Sequence, residues 1–217
     1  MVNRRHFIVG GALVAGPGIW LARAAGAAAP RRPVILVVGD SLSAEYGLKR
    51  GEGWVPLLDK RLGEQKIAAT VVNASISGDT SAGGRARLPG LLAQHRPTHV
   101  VIELGANDAL RGLSLASTEE NLLQMTQAAQ TAGAQVLIVG IQVPPNYGSD
   151  YARRFEEIFA KVATAAKASI VPFLLKGVAD GPDAAVLFQA DRIHPTAAAQ
   201  PRMLDNVWPA LRKLLPK

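Results

Sequence analysis

The stretch "VILVVGDSLS", residues 34–43, runs an apolar segment straight into Gly39, Asp40 and Ser41. Apolar residues at successive positions are typical of a strand that is buried on both faces of a sheet. Gly, Asp and Ser are also ordinary turn residues, so the simplest interpretation is a β-turn after the strand. The other interpretation is a nucleophilic serine at the carboxyl end of the strand, which requires catalytic partners elsewhere in the chain.

Outward from this stretch, short apolar runs alternate with segments of helical period. The runs that we predict as strands are residues 34–38, 68–74, 99–104, 135–143 and 169–175. The segments that we predict as helices are residues 54–65, 81–95, 117–132, 150–167 and 201–215. This alternation predicts an α/β fold with a parallel sheet, right-handed crossovers and helices on both sides. Ligands of such folds bind outside the carboxyl ends of the strands.

Length and composition predict one domain, residues 30–217, behind an N-terminal leader. The chain has 217 residues, 48% of them apolar, which is enough for one well-cored domain and short for two. Its net charge of +7 is carried by scattered basic residues, which argues against a nucleic-acid partner. The absence of cysteine excludes disulfides, a thiol nucleophile and thiolate metal sites. No Walker or G-x-G-x-x-G motif follows a strand, which weakens a nucleotide-binding alternative.

Residues 1–29 have the layout of an export signal, with a basic start, an apolar run and small residues before Pro30. The apolar run spans residues 7–21, shorter than the ~20 residues of a membrane span, so a removable signal is favoured over a permanent anchor. Arg4 and Arg5 resemble the twin-arginine pattern, and general secretory export remains an equal alternative. We therefore expect a periplasmic or secreted protein.

Candidate catalytic groups follow the predicted strands. Asp191 and His194 are three residues apart, so one turn can bring the carboxylate to one imidazole nitrogen and leave the other facing Ser41. The alternative is that Asp191 caps a turn and His194 is a surface residue. A metal site is not expected, because there is no HExxH motif and two ligands do not make a site. Asp40 and Asp108 are expected to anchor their own loops.

Four blocks together resemble the GDSL or SGNH hydrolase family. They are "GDSL" at 39–42, Gly78, "GAND" at 105–108 and "DRIH" at 191–194. Over residues 33–215 the chain is further similar to the multifunctional thioesterase I/protease I/lysophospholipase subgroup. The resemblance implies a three-layer, flavodoxin-like fold with a five-stranded parallel sheet. Two departures are Ala106, where Gly is common, and Arg192, which adds a cation where the family commonly has Gly.

The resemblance also implies a role for each matched residue. Ser41 would be the nucleophile, His194 the general base and then acid, and Asp191 its orienting partner. The backbone N–H groups of Ser41 and Gly78 and the side chain of Asn107 would form the oxyanion hole. Substrate-binding residues at the edges of an acyl pocket would be Leu110, Pro145, Asn146 and Tyr147. Arg111, beside Leu110, is as easily a solvated cation.

The implied function is an exported serine hydrolase that cleaves acyl thioesters and carboxylic esters, including lysophospholipids. We expect no cofactor, no metal and no nucleic-acid partner, and a monomer that contacts lipid only transiently. A short-chain esterase or carbohydrate deacetylase of the same family is the nearest alternative. Two alternatives are not enzymes: a non-catalytic lipid or acyl carrier, and a flavodoxin-like binding module.

Overall fold

A five-stranded parallel sheet lies at the centre of the computed structural model, which describes residues 32–216. The strands are β1 (Val34–Gly39), β2 (Thr70–Asn73), β3 (His99–Glu103), β4 (Gln135–Val139) and β5 (Ser169–Val171). Their order is β2-β1-β3-β4-β5, so the chain winds outward in both directions from β1 and β3. This order places the winding reversal, where ligands of such folds bind, at the carboxyl ends of β1 and β3.

Helices cover the sheet, which confirms the predicted α/β class. They are α1 (Trp54–Glu64), α2 (Ser81–His95), α3 (Ala106–Leu110), α4 (Leu115–Thr131), α5 (Ser149–Ala165), α6 (Ala184–Leu187) and α7 (Gln200–Leu214). Helices α2, α4 and α5 pack side by side in one layer, and α1 packs against α7 in the other. The five predicted helices are present within two residues of their expected bounds, whereas the short α3 and α6 were not predicted.

The two central strands are buried on both faces. Residues 35–38 of β1 have no exposed surface, and residues 99–103 of β3 are all buried. Burying a Val, Leu or Ile side chain completely contributes roughly 1.5–3 kcal/mol, so this double burial anchors the sheet. Adjacent registers pair Gly39 with Glu103, which brings the ends of β1 and β3 to the same edge.

Four predicted strands were too long, the third, residues 99–104, by one residue only. Residues 68–74 shorten to β2, β4 ends at Val139 rather than at residue 143, and β5 ends at Val171 rather than at residue 175. The carbonyl of Pro172 lies so close to Gly140 that a Cβ there would meet its oxygen at 2.3 Å, and the Gly140 carbonyl accepts the N–H of Leu174. Proline has no N–H for the ladder, so the chain turns here although its apolar side chains stay buried.

The predicted export signal, residues 1–29, and the first two residues of the predicted domain lie outside the described residues. Within residues 32–216, no helix has both the length and the apolar character needed to cross a bilayer.

Candidate active site

Ser41, His194 and Asp191 form one chain of hydrogen bonds, although Ser41 and His194 are 153 residues apart. The Oγ of Ser41 lies 2.9 Å from Nε2 of His194, and Nδ1 of His194 lies 2.7 Å from Oδ2 of Asp191. Since a carboxylate only accepts, Nδ1 carries the proton and Nε2 is the acceptor for the serine hydroxyl. The structure thus gives the imidazole the tautomer that a general base needs.

Asp191 is held as a carboxylate. The hydrogen bond from His194 lowers the pKa of Asp191 from 3.8 to about 2, assisted by the backbone N–H groups of His194 and Ile193. Both N–H groups donate to Oδ1, each at 3.0 Å, while Oδ2 accepts the hydrogen bond from the imidazole Nδ1. The Asp-x-x-His spacing therefore forms a closed turn around one carboxylate, which fixes the ring of His194.

The loop that carries His194 is tied to the loop that carries Ser41. An isolated antiparallel bridge joins Phe188 to Pro195, and the Gln189 N–H donates to the His194 carbonyl at 2.8 Å. The Gln189 side chain donates to the carbonyl of Tyr46 at 2.9 Å. The ring of Tyr46 packs on the ring of His194, with centroids 4.2 Å apart. These contacts set the distance between the two catalytic loops.

Asn107 lies on α3 and is hydrogen-bonded to the loop that carries Ser41. Its Nδ2 donates to Oδ2 of Asp40 at 3.1 Å, and Oδ1 of Asp40 accepts the N–H of Leu42 at 3.0 Å. Asp40 therefore anchors its loop, as expected, and also orients the carboxamide. Asp108 does not anchor its own loop as expected: its carboxylate accepts the N–H of Ser81 at 2.8 Å and the hydroxyl of Ser81 at 2.5 Å, which ties α3 to the start of α2.

Gly78 lies in the loop between β2 and α2 with a φ of +79°, in the left-handed region that favours glycine. Its carbonyl accepts a hydrogen bond from Nη2 of Arg111 at 2.6 Å. Arg111 follows directly after α3, the helix that carries Asn107. The guanidinium is exposed, as a solvated cation would be, and it also contacts the glycine loop.

A buried acid that the sequence analysis did not single out lies beneath the site. Glu103, fully buried at the end of β3, accepts the hydroxyl of Ser43 at 2.7 Å and weakly the N–H of Asp40 at 3.4 Å. Burial and the nearby charge of Asp40 raise the pKa of Glu103 well above its usual value of 4.5. Burial likewise raises the pKa of Asp40 from 3.8 to about 6. The available signal was a lone Glu in an otherwise apolar strand.

A cavity of about 590 Å³ opens from these residues. Ser41, Asn107 and His194 line it together with Leu110, and most of its other walls are apolar. Its other lining residues are Asp40, Leu42, Ala106, Gln142, Val143, Pro144, Phe173, Leu175, Ala179, Asp180, Phe188, Arg192 and Ile193. The structure thus brings three predicted catalytic and oxyanion-hole residues, and the predicted acyl-pocket residue Leu110, to one cavity.

Two residues of the predicted acyl-pocket edge, Asn146 and Tyr147, do not line this cavity. Pro145–Tyr147 form a single 3₁₀ turn that leads into α5, and neither Asn146 nor Tyr147 is among the residues lining the cavity. The Tyr147 ring stacks on Tyr151 of α5 at 6.0 Å, because the turn directs it along the helix. Pro144, one residue earlier, lines the cavity instead. Gly78 is also not a lining residue.

Comparison with known proteins gives this site a context. Residues 37–201 match the sequence pattern described as the GDSL-like Lipase/Acylhydrolase family, which covers more than half of the chain. The chain belongs to this family. Membership in the GDSL-like family makes the protein an ester hydrolase, and it confirms the resemblance that the four sequence blocks carried.

Individual relatives within the GDSL-like family are similar over most of their length. Esterase TesA of Pseudomonas aeruginosa is 55% identical over 181 residues, which is 83% of this chain and 89% of the relative. Thioesterase 1/protease 1/lysophospholipase L1 of Escherichia coli K12 is 41% identical over 83% of this chain and 84% of its own. A crystal structure of TesA superposes with a TM-score of 0.81 at 54% identity, covering 84% of this chain and 99% of that one.

Proposed function

We propose that the protein hydrolyses acyl thioesters and carboxylic esters through an acyl-enzyme formed on Ser41. The observation that carries this proposal is the hydrogen-bond chain from Ser41 through His194 to Asp191, which opens into the cavity beside Asn107. Nucleophile, base, orienting carboxylate and a neutral donor are the parts that acyl transfer requires.

The proposed reaction has an acylation step and a deacylation step. Ser41 Oγ attacks the acyl carbon while its proton passes to Nε2 of His194, which is 2.9 Å away. Asp191 stabilises the imidazolium that results and remains ionised itself. His194 then gives the proton to the leaving thiol or alcohol. A water molecule next attacks the acyl-enzyme while His194 takes its proton, and His194 returns that proton to the oxygen of Ser41 as the acid is released. The acid product and the leaving group account for all atoms of substrate and water.

Negative charge on the acyl oxygen would be stabilised by the N–H groups of Ser41 and Gly78 and by Asn107. The carboxamide of Asn107 has two N–H groups, and Asp40 accepts one of them at 3.1 Å. The second remains for the oxyanion, and it requires no ionisation to act as a donor. Donors that are already oriented for the transition state are usually the largest electrostatic contribution to such catalysis.

Fatty acyl chains are the substrate class that the cavity supports best. Its side chains Leu110, Val143, Phe173, Leu175 and Phe188 offer apolar contact over about 590 Å³. Relatives named thioesterase, lysophospholipase and esterase support the same class. No residue of the catalytic set is replaced, which argues against the carrier alternative.

We also propose that residues 1–29 direct export and that the enzyme acts in the periplasm or outside the cell. The support is the order of basic, apolar and small residues in that segment. N-terminal sequencing of the exported protein should begin between Ala25 and Arg32. Recovery of Met1 on a membrane-bound form would favour an anchor instead.

A panel of substrates tests the proposed activity. Acyl-CoA, aryl esters and lysophospholipids of increasing chain length should be hydrolysed, with kcat/KM rising as the chain fills the apolar cavity. Ser41→Ala, purified identically, serves as the inactive control. Turnover of an acetylated sugar with none of the longer substrates would replace the proposal by a carbohydrate deacetylase.

A further inference from the structure

Arg192 combines an unfavourable backbone with an exposed side chain at the mouth of the active-site cavity. Its φ is +58°, in the left-handed region where L-residues other than Gly, Asn and Asp are uncommon. It stands between Asp191 and His194, and its side chain lines the cavity. An unfavourable conformation at a functional site is a reason to ask what the side chain does there.

The other left-handed residues besides glycine have structural explanations. Lys66, Arg96 and Lys167 each end a helix, where a left-handed residue closes the last turn. Glu45 uses its carboxylate to accept the N–H groups of Gly51 and Gly53, both at 2.8 Å. Arg192 lies at no helix end, but it closes a turn in the hairpin that the Gln189–His194 bond defines, and its N–H donates to the Gln189 carbonyl at 2.9 Å. The hairpin therefore accounts for its backbone, and its side chain is what remains to be explained.

Among the described residues, the guanidinium of Arg192 has no hydrogen-bond or ion-pair partner; the contacts of its residue run through its backbone N–H, which donates to Gln189. Asp180, an acid that also lines the cavity, accepts the N–H of Gly177. Asp191 is bound by His194 and two backbone groups. An arginine without a protein partner, beside apolar walls, presents a planar donor fork suited to phosphate.

Position selects which part of a substrate Arg192 would contact. His194 gives its proton to the leaving group, so the leaving group lies against the loop that carries both His194 and Arg192. In a lysophospholipid, only the glycerol carbons separate the scissile ester from the phosphodiester. In acyl-CoA the whole pantetheine arm lies between the thioester and the phosphates. An arginine two residues from the general base therefore matches the lysophospholipid.

We propose that Arg192 binds the phosphodiester of a lysophospholipid leaving group and makes this substrate preferred over neutral monoacyl esters. The inference rests on the proposed hydrolase function and adds the residue that selects among its substrates. Arg192 acts on the leaving group and not on the acyl oxygen. Replacing it should therefore change the ratio of kcat/KM between a phosphate-bearing substrate and a neutral one.

The experiment compares 1-acyl-lysophosphatidylglycerol with the 1-monoacylglycerol of the same chain, both below their critical micelle concentrations. In Arg192→Gln the kcat/KM ratio of the two substrates should fall on the order of tenfold, the effect of losing one partly exposed charged hydrogen bond. Arg192→Gly should show the same fall, because it removes the charge while relieving the backbone. Arg192→Lys should recover part of the ratio. Added NaCl should lower the wild-type ratio and leave that of Arg192→Gln unchanged.

Arg96→Gln is the matched control. Arg96 is also an exposed arginine in the left-handed region, with a φ of +45°, but it precedes β3 and so lies at the opposite edge of the sheet. The kcat/KM ratio of the two substrates in Arg96→Gln should equal that of the wild type. An unchanged ratio in Arg192→Gln, or a loss confined to acyl-CoA, overturns the proposal. Wild-type protein that hydrolyses neither substrate would instead contradict the proposed function itself.

Discussion

Asn107 has to keep one N–H on Asp40 and present the other to the cavity. The contact with Asp40 at 3.1 Å removes the freedom of the carboxamide to rotate away. The carboxylate of Asp40 thereby orients the Asn107 donor. At the scale of single residues, Ser41, Asn107 and His194 are each held by a hydrogen bond to another side chain.

Asn107→Ala should lower kcat on the order of 10² to 10³ and leave KM nearly unchanged, because the amide acts where charge develops in the transition state. Steady-state kinetics on one soluble thioester measure both constants. Gln124→Ala, which removes an exposed carboxamide on α4, is the control. A rise in KM with kcat intact would make Asn107 a ground-state binding residue.

Asp40→Asn should change the pH dependence of stability. The pKa of Asp40 is raised from 3.8 to about 6, so its contribution to stability is complete below the unfolded value and is lost as pH rises through the folded one. Asparagine cannot ionise. The free energy of unfolding of the variant relative to the wild type should therefore increase by up to about 3 kcal/mol from about pH 4 to pH 7.

Denaturant unfolding of wild type and Asp40→Asn at a series of pH values measures this difference. A difference that stays constant with pH would mean that the wild-type carboxyl titrates alike in the folded and unfolded chain. In that case the raised pKa of the neighbouring Glu103, which burial also causes, would need a different explanation.

At the scale of elements, α3 connects the two loops that carry the proposed oxyanion-hole donors. Its first turn carries Asn107, and Arg111 at its end reaches the carbonyl of Gly78 at 2.6 Å. The helix has only five residues, yet it connects the loop after β3 with the loop after β2. The exposed hydrogen bond from Arg111 to Gly78 thus links the two loops directly.

Arg111→Ala should lower kcat on the order of tenfold with little change in KM, since it releases the loop that carries the Gly78 N–H. Arg111→Lys should restore part of the loss by donating to the same carbonyl. Arg85→Ala, at another exposed arginine, is the matched control. Equal kcat in Arg111→Ala and wild type would show that Gly78 is held without it.

At the scale of the whole molecule, the sequence was sufficient for the sheet and the five long helices, which follow from apolar runs and helical periods. Ser41, Asp191 and His194 were candidates because they follow predicted strands, whereas the role of Asn107 came from the family resemblance. The sequence pattern overestimated β4 and β5, because the residues after them, such as Ile141 and Leu174, are as buried and apolar as strand residues. Arg111 and the buried Glu103 depend on contacts between distant loops, which local pattern does not encode.

If Ser41 is the nucleophile, a fluorophosphonate should label it covalently, and peptide mass mapping locates the adduct. We expect one adduct, on Ser41, in the wild type and in Ser117→Ala, which removes an exposed serine hydroxyl on α4. We expect no adduct in folded Ser41→Ala. Labelling of Ser41→Ala to the wild-type extent, or a wild-type adduct on another residue, would contradict this assignment.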